Sequence, residues 1–127
     1  MMRLLLDTNV VVWLLLGDRD QVPDRVADLV QDARIPVLVS AVSVWEIAIK
    51  RSLGKLEIED RWSGALARLG FAQCPVTAEH AAAVEGLPWL HRDPFDRLLI
   101  AQARLEEATL VTADARVRTY DIPTLWA

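Results

Sequence analysis

The strongest constraint on this chain is a set of short, unbroken apolar runs separated by segments long enough to form helices. Leu4-Leu5-Leu6, Val37-Leu38-Val39 and Leu110-Val111 contain no polar residue to mark a solvent-facing side. Strands written this way are buried on both faces, which indicates a parallel sheet covered by helices. Strands are expected at 3–6, 36–39, 71–76 and 109–112, with a fifth at 122–126. Helices are expected over 9–16, ending at Gly17, and from Pro23-Asp24 to about Ala33. Ser40 reads as the N-cap of a helix through Arg51 or Leu53, stopped by Gly54. Further helices are expected over 59–69, before Gly70, and over 78–86, capped by Thr77. Asp93-Pro94 opens the last, through about Glu107, with proline at its first position. The expectation is an α/β fold in a single domain, 1–127, around a mostly parallel sheet of about five strands.

The chain has 127 residues, 53% of them apolar, which supports a real core and argues against disorder. Its net charge of −4 disfavours a general nucleic-acid coat. It does not exclude a nuclease, because a metal-binding carboxylate cluster itself lowers the charge. The lone Cys74 excludes an intrachain disulfide and a cysteine-rich zinc site. The apolar stretch Leu4 to Leu16 is too short to span a bilayer and contains Asp7. With no cleavage site after it, a soluble, cytoplasmic protein is expected.

Four acids stand beside or inside apolar runs: Asp7, Glu46, Asp96 and Asp114. Burying an unpaired carboxylate is costly, so each needs a cation, a proton or a structural partner. Asp7 precedes a helix and suits an N-cap as well as a ligand role. Glu46 has Lys50 one turn on, a ready ion-pair partner. Asp93 reads as a helix N-cap, and Asp96, at the third helical position, also suits the helix dipole. Asp114 has the position of a cap for a short last helix. In a parallel sheet, however, ligands bind beyond the carboxyl ends of the strands, where strand order reverses. The expected topology brings all four acids to that edge.

The residues that carry these acids resemble PIN-domain ribonucleases, and within them the VapC-type toxins of toxin–antitoxin pairs. The anchors are Leu4-Leu5-Leu6-Asp7-Thr8-Asn9, Ser40-Ala41-Val42-Ser43-Val44-Trp45-Glu46-Ile47, Asp93-Pro94-Phe95-Asp96-Arg97-Leu98-Leu99-Ile100-Ala101-Gln102-Ala103 and Leu110-Val111-Thr112-Ala113-Asp114. The resemblance covers nearly the whole length. It implies a three-layer α/β/α sandwich and an endoribonuclease dependent on Mg²⁺ or Mn²⁺, with Asp7, Glu46, Asp96 and Asp114 as its acidic set. On this reading Asp7, Asp96 and Asp114 hold metal. Glu46 acts through a water or positions the attacking one. Thr112, Asn9 and Asp93 support the site from behind. Hydrolysis by metal-activated water would leave a 3′-hydroxyl and a 5′-phosphate. The resemblance also implies a VapB-type antitoxin as partner, a toxin homodimer and higher toxin–antitoxin complexes. A PIN-like RNA-binding or RNA-processing protein outside any such pair is the alternative.

RNA requires positive charge, and Arg97, Lys50, Arg51, Arg116 and Arg118 flank the acids. Each has an ordinary solvated role as its competing explanation. His80 is expected to be structural, on a surface helix, and His91 to serve in a loop near the mouth of the site. Cys74 reads as a buried strand residue. Most of the five tryptophans belong to the core by expectation, with Trp13 or Trp62 available for an exposed patch that holds a partner. A haloacid-dehalogenase-type phosphatase needs a second acid where Asn9 stands. A receiver domain needs paired early acids, and a flap nuclease needs a longer chain. An inactive binding module has no reason to keep all four acids.

Overall fold

Five strands form one all-parallel sheet, and its order is what makes a site possible. The computed structural model describes residues 2–126; Met1 and Ala127, the ends of the expected domain, lie outside the described residues. Strand β1 spans Leu4–Leu6, β2 Val37–Ser40, β3 Ala72–Cys74, β4 Thr109–Val111 and β5 Thr124–Leu125. Their order is β3-β2-β1-β4-β5. The chain winds one way from β1 through β2 to β3, then returns to the other side of β1 with β4 and β5. The reversal falls between β1 and β4, where Leu5 is in register with Leu110 and Leu6 with Val111.

The alternation of side chains along each strand divides the core into two layers. Leu4, Leu6, Val37, Val39 and Val111 face one side. They pack with α1 (Thr8–Leu16), α2 (Asp24–Gln31) and α4 (Trp62–Arg68). Leu5, Leu38 and Leu110 face the other, against α6 (Pro94–Leu105), while α5 (Ala78–Ala83) packs on α6. Helix α3 (Ala41–Ser52) sends Ile47 into the first layer and Val42 into the second. This is the expected α/β/α sandwich. The helices begin and end for local reasons. Gly17, at φ 68°, closes α1 in the left-handed conformation and returns its N–H to Leu14. Ser40 Oγ accepts from Val42 N to start α3, and Thr77 caps α5 through His80 N.

Several expected bounds are too generous. The span expected as one helix, 78–86, is α5 followed by a 3₁₀ turn at Val84–Gly86, and the third strand has three residues where six were expected. Among the described residues no helix is long and apolar enough to cross a membrane.

Candidate active site

Asp7 immediately follows β1 and directly precedes helix α1. It occupies the N-cap position yet makes no side-chain capping bond. Thr112 Oγ1 donates to Asp7 Oδ2 at 2.6 Å instead, and the same hydroxyl accepts from Asp114 N at 3.1 Å. One threonine, just past β4, therefore fixes the acids at both strand ends flanking the sheet's reversal point. Replacing it with valine keeps the shape and removes both bonds. Thr112→Val is expected to cost about 1–2 kcal/mol of stability. If Asp7 is catalytic, a nuclease assay should also show roughly a tenfold loss with this variant.

Glu46 sits on the second turn of α3, only 5% exposed. Its Oε2 lies 2.9 Å from Lys50 Nζ, so the expected i,i+4 pair exists. The pair leaves Oε1 buried with no hydrogen-bond partner. Thr8 and Ser43, hydrogen-bonded at 2.9 Å, tie α1 to α3 beside these acids. Asp93 is a true N-cap: its Oδ1 accepts from Phe95 N at 2.8 Å and Asp96 N at 3.1 Å. Asp96 does not cap. Its Oδ2 is hydrogen-bonded to His91 Nε2 at 2.7 Å.

These carboxylates share one field. Asp7 is pushed up first by burial and further by Glu46 and Asp114, against the lowering effect of Thr112 and of the Thr8 backbone. Asp96 is pushed up to about 7, first by burial and then by Asp7, while the His91 hydrogen bond opposes the rise. The Lys50 ammonium is held charged by Glu46, with Asp93 and Asp96 adding to the effect. All four predicted acids are thus linked through mutual repulsion. A set of oxygen donors with an orphaned, buried Glu46 Oε1 fits a hard divalent cation.

A family model described as PIN domain matches residues 4–123. The chain belongs to the PIN-domain family. That family is one of nucleases, so the acids of this PIN domain lie in a phosphodiester-hydrolase fold. Among solved structures, VapBC2 from Rickettsia felis bound to a promoter DNA fragment is similar, with a TM-score of 0.72 at 18% identity, over 99% of this chain and 100% of the other. VapBC-1 from nontypeable Haemophilus influenzae gives 0.69 at 17% identity, over 98% and 97%. A toxin–antitoxin complex from Klebsiella pneumoniae gives 0.67 at 20%, over 95% and 94%. At these identities the likeness is one of fold. No curated protein matches by sequence.

Several expected roles change on this PIN domain. Arg97 is not available to RNA, because it is 2% exposed. Its guanidinium donates to the carbonyls of Pro88, His91, Val84 and Leu87 and to Tyr120 Oη, and it lies 3.8 Å from the Trp89 ring centroid. It organises the loop that leads into α6. Arg97→Leu strands those acceptors and should destabilise the fold by about 3 kcal/mol, measurable by denaturant unfolding. Arg51 is engaged with Asp60 and the Ile58 carbonyl. Arg116 and Arg118 are exposed near Asp114, and Asn9 is exposed on the first turn of α1. His80 has the structural role expected of it: on the largely exposed α5 it is the buried residue, closing a capping box with Thr77 and bonding Glu106. Trp62 is buried and Trp13 packs on Trp126; the exposed tryptophans are Trp45 and Trp89. His91 was expected in a loop role and touches Asp96 directly. Its spacing ahead of Asp93 and Asp96 was the available signal.

Proposed function

We propose that this PIN domain is a divalent-metal-dependent endoribonuclease acting as the toxin of a toxin–antitoxin pair. The observation that carries the reading is the linked acid set at the sheet's reversal point, with Glu46 Oε1 buried and unpartnered. Asp7, Asp96 and Asp114 would hold Mg²⁺ or Mn²⁺. When bound, the cation supplies positive charge for the phosphate oxygens and makes water a better nucleophile. Glu46 Oε1 is the free acceptor that can orient an attacking water. Thr112 keeps Asp7 and Asp114 in place, and Asp93 fixes the first turn of α6 so that Asp96 faces His91. Arg116 and Arg118, both exposed, are the first candidates for RNA phosphates; Lys50 and Arg51 would have to share their charge with Glu46 and Asp60, and buried Arg97 is out of reach. The expected products carry a 3′-hydroxyl and a 5′-phosphate.

The toxin role draws on the similar structures, which are VapBC and toxin–antitoxin complexes. A VapB-type antitoxin, a homodimer of this chain and a higher toxin–antitoxin complex are the partners proposed, in the cytoplasm. An apolar groove of about 480 Å³ beside α3, lined by Val44, Trp45, Leu66 and Phe71, offers a seat for an antitoxin segment. The test incubates the purified chain, free of antitoxin, with structured RNAs in Mg²⁺ or Mn²⁺, with EDTA and Asp7→Asn as controls. Cleavage that persists in EDTA or in the variant overturns the reading.

A further inference from the structure

The approach to α6 carries a histidine that the acidic set does not explain. His91 Nε2 lies 2.7 Å from Asp96 Oδ2, and ligating atoms of His91, Asp93 and Asp96 all fall within 4.8 Å of one another. Neighbouring ligands of an octahedral ion with bonds of about 2.1 Å stand about 3 Å apart, close to the His91–Asp96 spacing. The imidazole is held in place. His91 is 7% exposed, its backbone N–H donates to Tyr120 Oη at 3.0 Å, and its carbonyl accepts from Arg97 at 3.4 Å. Asp93 accepts both of its capping bonds through Oδ1, which leaves Oδ2 uncommitted.

Two observations outside this trio describe the charge around it. Glu46, 5% exposed, keeps Oε1 without a partner. The ammonium of Lys50, 2.9 Å from Glu46 Oε2, also stands in the field of Asp93 and Asp96. A cation of the protein's own already serves this group of acids.

We propose that His91, Asp93 and Asp96 form a mixed nitrogen–oxygen site for a divalent transition-metal ion, taking Mn²⁺ in preference to Mg²⁺. The use of the ion in cleavage rests on the nuclease reading above; the site itself rests on these three side chains. A cluster of carboxylates alone discriminates weakly between the two ions. One imidazole ligand shifts preference toward first-row transition metals, because Mg²⁺ favours oxygen ligands and retains its waters. To serve as a ligand, His91 presents the Nε2 lone pair and carries its proton on Nδ1.

Electron spin-echo modulation of bound Mn²⁺ tests the assignment directly. The full chain is stripped with EDTA, loaded with half an equivalent of Mn²⁺, and compared unlabelled, with ¹⁵N-histidine and as His91→Gln. The expected result is modulation from one directly bound ¹⁴N, lost on histidine labelling and in the variant. Mn²⁺ affinity should fall about tenfold or more in His91→Gln, with Mg²⁺ affinity changed by about twofold or less. The labelled wild-type protein carries the test even if the variant folds poorly. Failure to bind Mn²⁺, or Mn²⁺ bound without histidine nitrogen, overturns the site. RNA cleavage measured on the same samples separates the two readings. Cleavage without histidine modulation sinks the site and leaves the nuclease; modulation without cleavage does the reverse.

Discussion

Replacing Asp7 with asparagine is expected to abolish RNA cleavage, by about three orders of magnitude or more, while making the metal-free protein more stable. Asp7 is 5% exposed, and burial, Glu46 and Asp114 all oppose its ionisation. Asparagine is close in shape and still accepts the Thr112 hydroxyl that Asp7 Oδ2 accepts at 2.6 Å. The substitution therefore removes a buried negative charge from a repulsive cluster without orphaning its neighbour. The gain should be about 1–2 kcal/mol, or roughly 3–6 °C in Tm for a chain of this size. An ordinary capping residue behaves in the opposite way, losing stability on substitution and leaving catalysis alone. Calorimetry in EDTA beside a cleavage assay decides. Retained activity in Asp7→Asn, or a large fall in Tm, would remove Asp7 from the site.

That contrast shows what the chain declares in its sequence. The apolar runs at Leu4–Leu6 and Val37–Val39 are written for burial on both faces, and both are strands of the parallel sheet. Asp93-Pro94 announces the start of α6, and the capping bonds to Phe95 N and Asp96 N are present. These are local signals, set by residues close in sequence. The order β3-β2-β1-β4-β5 is not local, and with it goes the meeting of Asp7 with Thr112, 105 positions apart. Arg97 misleads for the same reason. Arginine beside an acid suggests a phosphate contact, yet this one is enclosed because the Val84–His91 backbone folds over it and offers carbonyls. No property of the Asp96-Arg97 dipeptide reveals that enclosure. His91 was hidden by its loop position, since its contact with Asp96 depends on the anchors supplied by Tyr120 and Arg97. Tryptophans follow the same logic: Trp62 is buried and Trp45 exposed according to which face of its helix meets the sheet.

Mn²⁺ is expected to stabilise this protein strongly at pH 8 and weakly at pH 5.5. Asp96 is pushed from an ordinary 3.8 up to about 7 in the folded chain. Its folded form therefore holds a proton more tightly than the unfolded chain does. That contribution to stability is fully present below pH 3.8 and is lost as pH rises toward 7, because the ionised carboxylate is buried beside Asp7. With solvent screening allowed for, full ionisation costs about 2 kcal/mol. Asp7 is shifted in the same direction and adds to the trend. Without metal, Tm should accordingly rise on acidification from pH 8 to 5.5. A bound cation must displace the Asp96 proton, so its affinity at pH 5.5 falls about thirtyfold relative to pH 8. An ion present at about 100 times its Kd at pH 8 adds about 2.7 kcal/mol, or roughly 8 °C. The same concentration at pH 5.5 should add less than about a third of that. Thermal melts at both pH values, with EDTA or Mn²⁺, measure all four states. An equal Mn²⁺ increment at the two pH values, or a higher EDTA Tm at pH 8, would show that Asp96 neither resists ionisation nor binds the ion.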